Sequence, residues 1–140
     1  MLAAPSGLAP ALTTVRLGLH VLAAAVWVGG QFVMLGLLPT ARRYEGAPRA
    51  LAAAFGRLAW PAYAVVVITG FWNVSTFTFS DQTTAWKAVL VAKIVVVALA
   101  GIGAFLHGRA RTRPAIAAWG AVAGLASVAA LFMGVLLAGP

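Results

Sequence analysis

The sequence predicts an all-α protein, a four-helix transmembrane bundle with both termini outside. Of its 140 residues, 63% are hydrophobic and 9% are charged, whereas a soluble domain carries about 25% charged residues. The apolar residues form four long runs, and most of the basic residues lie in two of the segments that connect them. There is no cysteine, which excludes disulfides and thiolate metal sites.

The four runs have the length that a bilayer requires, since about 20 apolar residues span its hydrocarbon core. We expect a single domain over residues 1–140, with helices at about 12–38, 56–79, 84–108 and 114–138. The chain shows no basic segment ahead of an apolar core and no clear cleavage site. The first helix is therefore expected to be retained rather than removed as a signal peptide.

Prolines and threonines predict where the helices begin and end. Pro39 should end the first helix, and Thr83 or Thr84 should cap the third. Pro114 suits the first turn of the fourth helix, where the missing N–H costs nothing. Residues 47–57 resemble an interfacial helix that leads into the second span, where Pro61 introduces a kink.

The basic residues predict the orientation. Seven lie on one side of the predicted membrane and two on the other. The larger group is Arg42, Arg43, Arg49, Arg57, Arg109, Arg111 and Arg113, and the smaller group is Arg16 and Lys87. The positive-inside rule then places both termini outside, in what we expect to be a bacterial cytoplasmic membrane. The net charge of +8 is explained by topology and predicts lipid, and no nucleic acid, as the partner.

Polar residues within the spans mark the candidate site. His20, Trp27 and Gln31 are spaced i, i+7 and i+11, which puts them on one stripe of a helix that should face the bundle interior. Lys93 lies at a depth in the third helix comparable to that of His20 in the first. An intramembrane ionisable residue is a functional candidate by default, so we predict a cofactor site of His20, Lys93, Trp27 and Gln31.

Met133 and His107 are two further candidate ligands. Met133 lies in the outer half of the fourth helix and joins His20 as a candidate metal ligand, although a lipid-facing role is the favoured interpretation. His107 follows Lys93 by fourteen residues, about 21 Å along a helix. The two histidines therefore cannot ligate one haem iron within one chain, and His107 is expected to be interfacial.

No acidic side chain lies in the predicted spans, because Glu45 and Asp81 both fall in connecting segments. Lys93 must then snorkel to the surface, lose its charge, or pair with an anion such as a haem propionate or a substrate carboxylate. The same shortage of carboxylates argues against a proton pump that works by an acid relay.

Three segments resemble the CopD-like (copper resistance D) membrane domain. They are HVLAAAVWVGG (20–30), RLAWPAYAVVVITG (57–70) and VLVAKIVVVALAG (89–101), and the resemblance spans helices one to three. The matched positions are His20, Trp27, Gly29, Gly30, Thr69, Gly70 and Lys93. The four-helix length is also similar to that of the HemJ-type protoporphyrinogen oxidases, which bind haem b.

The resemblance implies copper handling first, by binding or transport, at a buried His20–Lys93 site, with haem b binding as the alternative. The chain lacks the leucine-proline-arginine run of the HemJ-type enzymes after the first helix, which weighs against an enzyme. A third alternative is a small structural subunit of a homo-oligomer or larger membrane complex. The small residues of the fourth helix, Gly120, Gly124, Ser127 and Gly134, are typical of close helix packing.

Overall fold

The computed structural model describes residues 7–139 and confirms the predicted four-helix fold. Across those residues there is no strand, and a short 3₁₀ turn at Phe79–Asp81 interrupts the longest connection. All four helices are long and apolar enough to cross a membrane, which makes this an integral membrane protein. They are α1 (Ala11–Ala41), α2 (Ala47–Ser75), α3 (Thr84–Arg109) and α4 (Arg113–Ala138).

Two of the predicted helix boundaries are wrong. Pro39 does not end α1, which continues to Ala41; the proline lies in the last turn, where its missing N–H leaves few further bonds to disturb. The second helix does not run from about 56 to 79: α2 is one continuous helix from Ala47 to Ser75 with Pro61 inside it, so residues 47–57 belong to the same helix as the span. Prolines are tolerated in membrane helices, where neighbouring groups satisfy the freed carbonyl.

The predicted start signals of α3 and α4 are confirmed. The Thr83 hydroxyl accepts a hydrogen bond from the Trp86 backbone N–H and caps α3. Thr112 caps α4 in the same way through the Ala115 N–H, and Pro114 occupies the first turn of that helix. Each cap satisfies one of the N–H groups that a helix start leaves without a partner.

The helices form two antiparallel hairpins, α1–α2 and α3–α4. Small side chains occupy the interior, among them Ala23, Ala59, Ala100 and Ala123, while most of the large aliphatic side chains are exposed on the outside. This is the burial pattern of a membrane bundle, in which small residues allow the helices to approach and large ones face lipid.

Candidate functional site

Between the two hairpins, α1 departs from regular α-helical geometry at the level of Trp27. Residues Ala25–Gly29 form a π-helical segment, a feature that is rare and often found at functional sites. Trp27 is 6% exposed, and its indole Nε1 donates a hydrogen bond to Ser127 Oγ in α4 at 2.9 Å. The π-helical segment is therefore the point at which α1 is joined to the second hairpin.

Ser127 is the centre of a closed set of polar contacts. The Gln31 side-chain amide donates to Ser127 Oγ at 3.1 Å and to the Trp27 carbonyl at 3.0 Å. The Ser127 hydroxyl in turn donates to the Ala123 carbonyl at 2.7 Å. Because Ser127 is only 3% exposed, these bonds satisfy its hydroxyl away from water and fix the indole and amide that it holds.

Aromatic side chains of α2 cover the other side of Trp27. The Tyr63 ring lies 4.6 Å from the Trp27 ring, and the Trp60 ring lies 5.7 Å from it, measured between centroids. The Tyr63 hydroxyl donates to the Val97 carbonyl of α3 at 2.8 Å. Trp27 thus contacts α2 and α4, and Tyr63 extends the same cluster to α3, so that all four helices meet at this level.

His20 lies about two turns from Trp27 along α1 and bonds to α2. Its Nδ1 is 2.8 Å from Thr69 Oγ1, and Thr69 is 4% exposed. The Thr69 hydroxyl also lies 2.5 Å from the Val65 carbonyl, which can only accept. The hydroxyl proton therefore goes to Val65, and Thr69 accepts from His20 Nδ1–H. This assigns the tautomer of a neutral His20 and leaves Nε2 as the nitrogen that carries the lone pair.

Lys93 lies at the same level of the bundle. The Trp27–Ser127 bond sets the register of the antiparallel helices α1 and α4. His20 precedes Trp27 by seven residues and Gly134 follows Ser127 by seven residues, so the two lie at the same level. The Lys93 Nζ is 3.0 Å from the position that a Cβ on Gly134 would occupy, so the glycine leaves the room that the ammonium uses.

One turn further from the bundle centre, two buried polar atoms have no partner. Arg16 precedes His20 by one turn in α1, and Asn73 follows Thr69 by one turn in the antiparallel α2. Within residues 7–139, neither the Arg16 Nε nor the Asn73 Oδ1 makes a hydrogen bond. Buried polar atoms are rarely left unsatisfied, so this level of the bundle has unused capacity to bind a polar group.

The predicted site residues thus fall into two layers. His20 and Lys93 lie in one layer, while Trp27 and Gln31 lie in the next, at the π-helical segment. Met133 is half-buried beside Gly134 in the sequence, and Gly134 rather than Met133 lies against Lys93. Across the described residues there is no group of three or more His, Cys, Asp or Glu side chains that would hold a metal.

His107 lies in a different part of the molecule. Its Nδ1–H donates to the Ile116 carbonyl at 2.8 Å, and the residue is exposed near the loop between α3 and α4. The ring packs against Gly120. The structure therefore separates the two histidines along the bundle, His20 at one level and His107 near the opposite end.

Sequence reasoning missed four residues of this region. Ser127 was interpreted as one of several small packing residues, although a serine among glycines and alanines of a membrane helix is a known signal for an interhelical hydrogen bond. Arg16 was counted for topology alone, and neither Tyr63 nor Asn73 was singled out. Their partners lie on other helices, so no spacing within one helix indicates them.

Comparisons with family models, curated proteins and solved structures return no match for the chain.

Proposed function

We propose that this chain is a CopD-like membrane protein that binds haem b, with His20 as the residue that would ligate its iron. The observation that carries the proposal is the bond from His20 Nδ1–H to Thr69 Oγ1. Histidines that ligate metals almost always donate the other ring N–H to an oxygen, which fixes the tautomer and the ring orientation. Neutral imidazole with a free Nε2 is the form that binds haem iron.

The charged groups near His20 support an anionic cofactor. Haem b carries two propionates, and Lys93 and Arg16 are basic residues at the levels of His20 and of the next turn. The buried Arg16 Nε has no acceptor among the described residues, and a propionate would provide one. The carboxylates of the chain, Glu45 and Asp81, lie outside the helices at the loop after α1 and in the 3₁₀ turn.

Copper handling stays a prediction of the CopD resemblance. Copper(I) prefers thiolate and thioether ligands, with imidazole also suitable, and the chain has no cysteine. The described residues offer His20 without a cluster of further donors, and the cationic Lys93 would repel a copper ion beside it. We therefore rank haem above copper for a single chain, and copper would require ligands from a second copy or partner.

Each side chain has a distinct task in the proposed site. Bound haem supplies a one-electron iron couple. Thr69 holds the imidazole in orientation, Lys93 and Arg16 bind the anionic edge, and the Trp27–Ser127 contact closes the bundle below the site. This arrangement supports an electron-transfer or tetrapyrrole-handling role, without assignment of an enzyme activity.

The absorption spectrum of the purified protein, together with metal analysis, tests the proposal. We expect a Soret band that is lost in His20→Ala, weakened in Lys93→Met and kept in the matched control His107→Ala. Copper bound in proportion to protein without a Soret band would favour the copper alternative. If neither haem nor copper is found, or if His20→Ala retains the band, the haem proposal is wrong and a structural subunit is favoured.

We further propose that the protein lies in a bacterial cytoplasmic membrane with both termini outside, as the distribution of Arg and Lys indicates. Single cysteines at Ser80 and Ala47 test this orientation, because Ser80 lies between α2 and α3 and Ala47 begins α2. An impermeant thiol reagent added to intact cells should label the first and not the second. The opposite labelling pattern would reverse the topology.

A further inference from the structure

An apolar groove runs between α2 and α3 on the outer surface of the bundle, away from His20 and Lys93. It has a volume of about 410 Å³, and its walls are almost entirely apolar. The lining residues are Trp60, Tyr63, Ala98, Gly101, Ile102, Phe105 and Leu106. Gly101 forms part of the floor, and a side chain there would collide with the Tyr63 hydroxyl. The groove thus lies where two transmembrane helices face lipid.

The Arg109 side chain places a positive charge at one end of this groove. The Arg109 guanidinium lies 4.5 Å from the centre of the Phe105 ring, over its face, and Phe105 lines the groove. A cation–π contact of this kind favours this position of the guanidinium. Arg57 precedes Trp60 by three residues, and positions three apart are neighbours on a helix surface, so both walls carry an arginine toward the same end.

We propose that this groove binds an acyl chain of an anionic phospholipid whose phosphate is held by Arg109. The two halves of such a lipid match the two parts of the surface, since the groove is apolar and its end is cationic. A partner helix with its side chains would be about 10–12 Å across. The groove volume of about 410 Å³ would accommodate roughly one turn of such a helix. A thin, flexible acyl chain can follow the groove along its length.

The lipid would contact the residues that join the helices. Tyr63 forms part of the groove wall, and its ring packs against Trp27 while its hydroxyl bonds to Val97. Occupancy of the groove would therefore buttress the contact between the hairpins. This inference is independent of the haem proposal, because neither His20 nor Lys93 lines the groove.

The test measures lipid retention by native mass spectrometry of the full chain purified in detergent. We expect phosphatidylglycerol to be retained several-fold better than phosphatidylcholine of the same acyl chains. Arg109→Gln should reduce this preference to near parity. The matched control is Arg111→Gln, which removes the same charge from the neighbouring loop and should leave the preference intact. Equal retention of both lipids, or equal effects of the two variants, would overturn the proposal.

A second pair of variants tests the acyl chain. Ala98→Phe fills the groove, and Ala92→Phe places the same bulk on an exposed position of α3 outside it. Ala98→Phe should lower the retention of phosphatidylglycerol several-fold, and Ala92→Phe should leave it unchanged. Glycerol 3-phosphate, which lacks acyl chains, should not compete with the lipid. Full competition by this headgroup alone, or retention unaffected by Ala98→Phe, would show that the groove is not the binding site.

Discussion

The two hairpins achieve close helix packing in different ways. In α3–α4, a Cβ on Gly103 would lie 2.9 Å from the Ala123 backbone nitrogen, so the two backbones themselves are in contact. In α1–α2, a Cβ on Gly30 would collide with the end of the Phe55 side chain, and the cross-contacts are made by side chains such as His20 and Thr69. A backbone contact has no way to relax, whereas a side chain can move, so the α3–α4 hairpin should be the rigid half.

The largest effect is expected at Gly103. Gly103→Ala places a methyl group against the α4 backbone, and overpacking of this kind costs about 1–3 kcal/mol. The matched control is Gly108→Ala in the same helix, where nothing lies within 4 Å of the new Cβ. Denaturant unfolding in detergent, followed by circular dichroism, measures both. Equal stability of the two variants would contradict the rigid-half interpretation.

The second largest effect on stability is expected at the contact between the hairpins. Ser127→Ala leaves the buried Trp27 Nε1–H without its acceptor, and an unsatisfied buried donor costs about 1–3 kcal/mol. In a Trp27→Phe background the donor is already gone, so the same substitution should cost much less. The double-mutant cycle thus isolates the Trp27–Ser127 bond. An unchanged cost in both backgrounds would mean that Ser127 acts through its other contacts, such as the bond from the Gln31 amide, and not through Trp27.

A smaller effect is expected at Gly30, the counterpart of Gly103 in the first hairpin. Gly30→Ala should cost about 1 kcal/mol or less, because the Phe55 ring can move and the added methyl gains helix propensity. Phe55→Leu should remove the remaining cost, and Gly29→Ala, which meets nothing within 4 Å, is the control. A loss at Gly30 as large as that at Gly103 would remove the distinction between the hairpins.

The smallest effect is expected at Thr69. Thr69→Val removes the acceptor of the His20 N–H, and interhelical hydrogen bonds in membranes contribute about 0.6 kcal/mol on average. The change should be clearer in nitrogen NMR of the imidazole, where the Nδ1–H tautomer should lose its dominance. An unaltered tautomer would show that Thr69 does not orient the ring.

The helices themselves could be predicted from the sequence because each apolar run is long enough to span a bilayer, and the Thr83 cap and Pro114 start follow from local chemistry. The boundary at Pro39 is wrong because a proline in the last turn leaves few further bonds to disturb. The second helix begins earlier than expected because residues 47–57, interpreted as a segment that leads into it, are helical and continue into the span without a break. His20 and Lys93 were identified from polarity in an apolar context. Thr69 was indicated only by the CopD resemblance. Its contact with His20 depends on the register between two helices, which no single run of sequence encodes.

The π-helical segment at Ala25–Gly29 also sets an angular offset within α1. A π turn holds one more residue than an α turn, so the half of α1 with His20 is rotated against the half with Gln31 relative to a regular helix, by up to about 100°. Deleting Ala25 would restore regular geometry and turn one half toward lipid. The protein should therefore tolerate many substitutions at Ala25 but no change in the number of residues between His20 and Gln31.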